Sequence, residues 1–357
     1  MSNRLKSILF GYNTDSKNWG CRATPNVLRS RLNNKYIIQE VVSNISLVKM
    51  EEDDIISLVS KYSVIIINGE GSPIFTTPPR KEFLKHLDII KISSSQGKKV
   101  IYINSMVSDC PVSYRDNDTY NRTINEFNKC HIVSLRDPVS LNLIKGRVKN
   151  LIYTPDILFS FNKDKGFEYP DILEDTVIDL NLKSSGYIGI SGGSWPLMVD
   201  HPVDQKIEGY RKLIKGLIKS KNKVLLIETC SADRWLRDLA EEFDLEYVPA
   251  NLNSNKFAVV LEKLNIFISG RFHPSILASV FGIPCIFFES NSHKTLALQK
   301  MLGYENPKSF EFPLSDRSVN EILRKVRYYK SELEFHSKRI LKRVELLGNR
   351  INQSKLY

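Results

Sequence analysis

Apolar runs alternate with stretches of helical period along almost the whole chain. Ile8-Leu9-Phe10, Val64-Ile65-Ile66-Ile67 and Leu264–Ile268 are almost continuously apolar, the pattern of strands covered on both faces. In the first half, strands are expected at 7–12, 36–42, 63–68, 98–104, 131–135 and 150–154. Amphipathic helices at 22–32, 51–60, 80–93, 117–129 and 138–146 fall between them. In the second half, strands are expected at 187–191, 223–229, 245–248, 264–269 and 284–289. The helices there are expected at 203–219, 233–243, 256–263, 274–282 and 293–302. Strands and helices that alternate through short connections build parallel sheets with helices on both faces. The expected fold is α/β, with two doubly wound, Rossmann-like domains. The stretch from Asn162 to Ser185 is polar and without clear period, and the boundary is placed there. This divides the chain into 1–165, 166–317 and a tail at 318–357.

The tail reads as one or two basic helices. Ile322, Val326, Tyr329, Leu333, Ile340, Val344 and Leu347 recur near helical spacing, with lysines and arginines between them. Such helices pack back on the domains; the alternative is a helix drawn to an anionic membrane surface.

A chain of 357 residues is long enough for two domains that each bury a core. Charged residues at 25% and apolar residues at 42% are ordinary for a soluble globular protein. No run approaches the ~18 apolar residues of a membrane span. The first residues lack a signal-peptide core, so a cytoplasmic location is expected, with the inner membrane face as the alternative for the tail. Cysteines 21, 110, 130, 230 and 285 are odd in number, scattered and without CxxC spacing. That argues for a reducing compartment and against structural zinc. The net charge of +11 leaves three readings open: anionic substrates, an anionic membrane surface, or solubility. No interleaved basic and aromatic signature occurs, so nucleic acid is not an expected partner.

The most informative segment is Ser269-Gly270-Arg271-Phe272-His273-Pro274-Ser275, between the 264–269 strand and a short helix that stops at Gly282. Proline suits a first helical turn, where its missing N–H would be unpaired anyway. Arg and His at the carboxyl end of a parallel strand, beside a helix N-terminus, form an expected anion pocket. Ser191-Gly192-Gly193-Ser194-Trp195 follows the first strand of the second domain and can admit a phosphate or sugar. In the first domain, Asn18-Trp19-Gly20-Cys21-Arg22 ends the first loop. Asn68-Gly69-Glu70-Gly71-Ser72 places a carboxylate between glycines at a strand end, where it can serve as a general base. Arg136 ends another strand, and its forked donors suit an anion; an ion pair inside the domain is the competing reading. Asp137 is expected to cap the next helix, and Asp156 is a strand-end carboxylate.

No P-loop and no GxGxxG after the first strand occur, so nucleoside triphosphate hydrolysis and dinucleotide binding are unsupported. His86, His131, His201, His293 and His336 read as structural or exposed and are not at metal-ligand spacing; no metal is expected. His273 is the exception because of its place.

These elements, in this order, resemble the polysaccharide pyruvyl transferase family. The resemblance runs from Asn18-Trp19-Gly20 to Gly282-Ile283-Pro284, and Arg271-Phe272-His273-Pro274-Ser275 is its most specific part. It implies a two-domain, GT-B-like enzyme that moves pyruvyl from phosphoenolpyruvate onto a sugar of a cell-surface glycan, or its lipid-linked precursor, as a ketal. It implies no cofactor beyond that donor. Carried onto this chain, the catalytic pair is His273 and Glu70. The donor side takes Arg271, Arg136, His273, Ser275, Ser191 and Gly192, and the acceptor side takes Asn18, Arg22 and Glu70. Two departures stand out: Pro274 follows the His where the family commonly has Ser, and Glu70 interrupts the glycine turn. Gly69-Glu70-Gly71 and His273-Pro274 also look like elements of GT-B sialyl- and Kdo-transferases, which makes transfer of a CMP-activated acidic sugar the alternative.

Overall fold

The computed structural model describes residues 4–13, 16, 18–110, 115–169, 182, 184–193 and 203–357. Ser194, Trp195, His201 and most of the expected boundary stretch therefore lie outside the described residues. Cα packing divides the chain into two compact units. One is Met1–Asp15, Cys21–Ser160 and Leu347–Tyr357; the other is Ser16–Gly20 and Phe161–Leu346.

Continuous apolar runs become the buried strands of two six-stranded sheets, and two short strands pair separately in a third. In chain order the strands are β1 (Leu5–Phe10), β2 (Tyr36–Val42), β3 (Val64–Glu70), β4 (Ile74–Phe75), β5 (Lys99–Ser105), β6 (Ser108–Asp109) and β7 (Ile132–Leu135). They continue with β8 (Leu151–Tyr153), β9 (Tyr187–Gly193), β10 (Val224–Ile227), β11 (Glu246–Val248), β12 (Leu264–Gly270), β13 (Cys285–Phe288) and β14 (Ser309–Phe310). The first unit holds a six-stranded sheet of order β2-β1-β3-β5-β7-β8, parallel throughout. The second holds another, of order β11-β10-β9-β12-β13-β14, again parallel. Every residue of β3 and of β9 is buried, as expected for strands with helices on both faces. Each sheet packs its own apolar core, with Phe10, Ile67, Phe83 and Tyr102 in the first and Ile190, Tyr210, Ile268 and Phe288 in the second.

The helices differ from expectation mainly at their ends. The first begins at Trp19, and the one after β12 spans Phe272–Val280, which puts Pro274 in its third position. The first four N–H groups of a helix have no partner within it, so the proline still removes no helical bond. Asp233, expected to open a helix, sits in the short turn Ser231–Asp233, and the helix proper is Leu236–Glu242. The tail forms two helices, Asp316–Ser331 and Leu333–Asn352. Val319, Ile322, Val326 and Tyr329 of the first face the second unit's core. Among the described residues, no helix is long and apolar enough to cross a membrane.

In a doubly wound sheet, ligands bind outside the carboxyl ends where the strand order reverses. That reversal lies between β1 and β3 in the first unit, and between β9 and β12 in the second.

Candidate active site

At the first reversal, Glu70 is the last residue of β3. It is buried, and its backbone is left-handed at φ 43°. A non-glycine residue there costs of order ~1–3 kcal/mol and persists where its surroundings hold it. Met106 N donates to the Glu70 carbonyl (2.7 Å), and Ser72 N to that of Gly69 (3.1 Å). Asn68 Nδ2 donates both to Glu70 Oε1 (3.0 Å) and to the carbonyl of Gly11 after β1 (3.1 Å). Asn104, also left-handed at φ 53°, donates to Asn68 Oδ1 (3.4 Å) and accepts from Ile157 N (3.0 Å). A chain of side-chain amides thus ties the ends of β1, β3 and β5 to the segment after β8.

Next along the same edge, Arg136 leaves β7 and Asp156 follows β8. Arg136 Nη1 meets Asp156 Oδ2 at 3.0 Å, with both side chains almost fully buried. Burial pushes the Glu70 carboxyl up to about 7; the Arg136 charge opposes that shift, Asp156 reinforces it, and hydrogen bonds from Cys21 and Asn68 oppose it. A carboxyl balanced near neutrality can take a proton and return it. Backbone strain and a perturbed titration coincide at this one residue, as they do at functional sites.

At the second reversal, β9 ends in Ser191-Gly192-Gly193 and β12 in Ser269-Gly270, followed by Arg271. Ser191 Oγ and Ser269 Oγ are 2.6 Å apart, and Ser269 Oγ accepts from Arg271 N (3.0 Å). The Arg271 side chain grips Asp233 with two donors: Nε meets Oδ2 at 3.2 Å, and Nη2 bonds Oδ1. Thr229 Oγ1 donates to the same carboxylate (2.9 Å). Burial opposes the Arg271 charge, but Asp233 outweighs it and holds the guanidinium above its ordinary range. Gly192 is required beside this pair, since a Cβ there would stand 1.9 Å from Asp233 Oδ1.

His273 is the second residue of the following helix, at the end where backbone N–H groups and the helix dipole favour anions. Ser275 Oγ donates back to the Arg271 carbonyl (2.7 Å). The segment Asn18–Gly20 packs against the same place. Asn18 bridges to Cys230, Trp19 N donates to Thr229 O (2.9 Å), and the Trp19 ring stacks on Phe257 at 4.3 Å. A Cβ on Gly20 would fall 2.6 Å from His273 Nδ1, so the imidazole lies directly on glycine backbone.

The structure therefore brings Glu70 and Arg136 together in the first unit. It brings Arg271, His273, Ser275, Ser191, Gly192 and Asn18 together in the second. Arg22 lies buried in the first unit, on the helix Trp19–Leu32, while Asn18, four residues earlier, packs in the second. Both arginines expected to clamp an anion are in buried ion pairs. The partner Asp233 was not foreseen, nor was Cys21 beside Glu70. The available signal was charge balance, because a buried guanidinium demands a buried carboxylate.

Solved structures share this fold at low identity. An assigned UDP-N-acetylglucosamine 2-epimerase from Listeria monocytogenes is 11% identical with a TM-score of 0.60, over 98% of this chain and 94% of that one. The Neisseria meningitidis UDP-GlcNAc 2-epimerase bound to UDP-GlcNAc is 12% identical, with a TM-score of 0.55 over 98% of this chain and all of that one. A UDP-glucosyltransferase from Polygonum tinctorium is 9% identical, with a TM-score of 0.58 over 99% and 96% of the two chains. These likenesses establish a GT-B-like architecture. No curated protein matches the sequence. The sequence pattern of polysaccharide pyruvyl transferases matches residues 1–292, and with that span matched the chain belongs to the polysaccharide pyruvyl transferase family, a family of transferases.

Proposed function

We propose that the protein transfers the enolpyruvyl group of phosphoenolpyruvate to two hydroxyls of a sugar in a glycan or its lipid-linked precursor, giving a pyruvate ketal and phosphate. The observation that carries this reading, beside family membership, is Glu70: a buried carboxyl held near neutrality at the switch point of its sheet. The reaction is proton-neutral overall. One acceptor hydroxyl loses a proton as its oxygen attacks C2, and the methylene carbon gains one to become methyl. The second hydroxyl closes the ketal, and its proton leaves with the phosphate. A group that both takes and returns a proton suits this sequence better than a permanently ionised base. Glu70 fills that role on the acceptor side, in the first unit, where Arg22 also lies. The second unit takes the donor: Arg271, oriented by Asp233, with His273 and the helix N-terminus, faces its carboxylate and phosphate. Asn18 enters on that side through its pairing with Cys230.

The test is thermal. Phosphoenolpyruvate should raise the melting temperature, equivalent to ~2.7 kcal/mol at a hundredfold excess over its dissociation constant. Arg271→Ala, read against its own baseline, should lose the shift. A shift with CMP and none with phosphoenolpyruvate would replace this reading by transfer of a CMP-activated acidic sugar.

A further inference from the structure

A cavity of about 180 Å³ lies in the second unit, away from the residues described above. Pro284, just before β13, forms part of its wall, which puts it at the amino edge of the sheet; Arg271 and His273 leave the carboxyl edge. The rest of its lining comes from residues 302–340, most of them on the two tail helices and all beyond the 1–292 span that defines the family.

The lining has a definite chemistry. Tyr304, Tyr328 and Tyr329 contribute aromatic surface. The His336 ring sits 4.8 Å from each of Tyr328 and Tyr329, at 73° and 70° to them, and the two tyrosines are tilted 37° to each other. No parallel pair of faces is present to sandwich a nucleobase. Angled rings bearing hydroxyls instead offer apolar surface and hydrogen-bond partners together, as the face and rim of a sugar ring require. His336 is only 8% exposed, and its Nε2 makes no hydrogen bond. Glu332 stands 3.9 Å from that nitrogen, at the limit of an ion pair. Burial lowers the affinity of His336 for a proton, and with its Nε2 sealed from solvent the ring serves as an aromatic wall of the cavity. Lys325 and Arg339 also line the cavity, against the single carboxylate of Glu305, which Arg339 holds at 2.7 Å. Arg339 is thereby paired, whereas Lys325 makes no ion pair among the described residues; burial opposes its charge, and the Glu321 charge favours its protonated form. The volume equals that of about six waters at ~30 Å³ each, which fits one ring with its substituents.

We propose that this pocket is a subsite for one acidic pyranose, a sugar ring carrying a single carboxylate, by which the enzyme holds its glycan away from the reacting residue. The choice of a sugar over another small acid rests on the function proposed above; the pocket's shape and charge do not. A pyruvate ketal itself carries one carboxylate, so units already modified meet the requirement.

Calorimetric titration of the full chain with methyl glucuronide and with methyl glucoside tests the proposal. The glucuronide should bind, and the neutral glucoside should bind at least ~10-fold more weakly, the scale of one charged hydrogen bond. Tyr328, 51% exposed, can be truncated without opening the core. Tyr328→Ala and Lys325→Gln should each weaken the glucuronide by a similar factor while leaving any melting shift with phosphoenolpyruvate unchanged. Equal affinity for the two glycosides, full affinity in both variants, or no binding of the glucuronide would each overturn the subsite. None of these readouts depends on pyruvyl transfer, so the proposed reaction can fail while the subsite stands, and the reverse.

Discussion

Two buried ionisable residues of the first unit tilt its stability in opposite directions. Glu70 moves from 4.5 to about 7 on folding. Between those values the folded chain keeps a proton that the unfolded chain has released, so stability falls as pH rises through the window. His86 moves the other way, from 6.5 to about 3, because burial disfavours its charge. Its neutral ring bonds Asn44 Oδ1 through Nε2 (3.0 Å) and Tyr102 through Nδ1 (3.4 Å). There the unfolded chain binds the extra proton, so stability rises with pH up to about 6.5. Glu70→Gln removes the falling arm alone. Its stability relative to the parent should grow from pH 4.5 to about 7 in urea titrations, and a constant difference would mean that Glu70 does not titrate there. In turnover the same variant should lose roughly 10²–10⁴-fold, the scale of a lost general base. Donor affinity should hardly change, and the acid limb of the parent's pH–rate profile should vanish. Near-normal turnover would make Glu70 a turn residue and leave His273 as the leading base.

Among the elements, the most constrained junction is that of β9 with the turn Ser231–Asp233. Gly192→Ala would push Asp233 off Arg271. Breaking a buried pair costs about 3–5 kcal/mol, so the variant's denaturation midpoint should drop, and the melting shift with phosphoenolpyruvate should go with it. A milder case is Ser315, whose Oγ accepts from Ser318 N (3.1 Å) at the start of the first tail helix. Ser315→Ala should cost about 1 kcal/mol by chemical denaturation, with binding unaffected. These elements were legible in the sequence to different degrees. The main strands announced themselves because burial on both faces leaves no polar position to blur the run. The pairs β4 with β6 and β13 with β14 were missed or half missed, since two-residue strands have no period. The helix Asn44–Lys49 was missed for the same reason, six residues being too few to show a period. The places of Glu70 at a strand end and His273 at a helix start were legible because both are local features. The pairings of Arg136 with Asp156 and Arg271 with Asp233 were not, because they join residues that only the fold brings close.

At the scale of the whole molecule, the chain does not assign one continuous stretch to each unit. Residues 16–20 are held in the second unit by the Trp19 stack on Phe257, and Leu347–Tyr357 return to the first. There Ile351 and Leu356 are buried, and the Arg350 guanidinium lies 4.3 Å over the Tyr153 ring. Burying one such aliphatic side chain is worth ~1.5–3 kcal/mol, so deleting residues 347–357 should destabilise the first unit by about 3–6 kcal/mol. Hydrogen exchange would check this, with β1, β3 and β5 losing protection while β9 and β12 keep theirs. The same threading sets an order of events at the ribosome. The first unit emerges first, yet its final segment, residues 347–357, is made roughly 10–40 s after Ser160 at ~5–20 residues per second. Through that wait its seam for residues 347–357 stays open, so the nascent chain is a natural client for chaperones while its second unit is still being made.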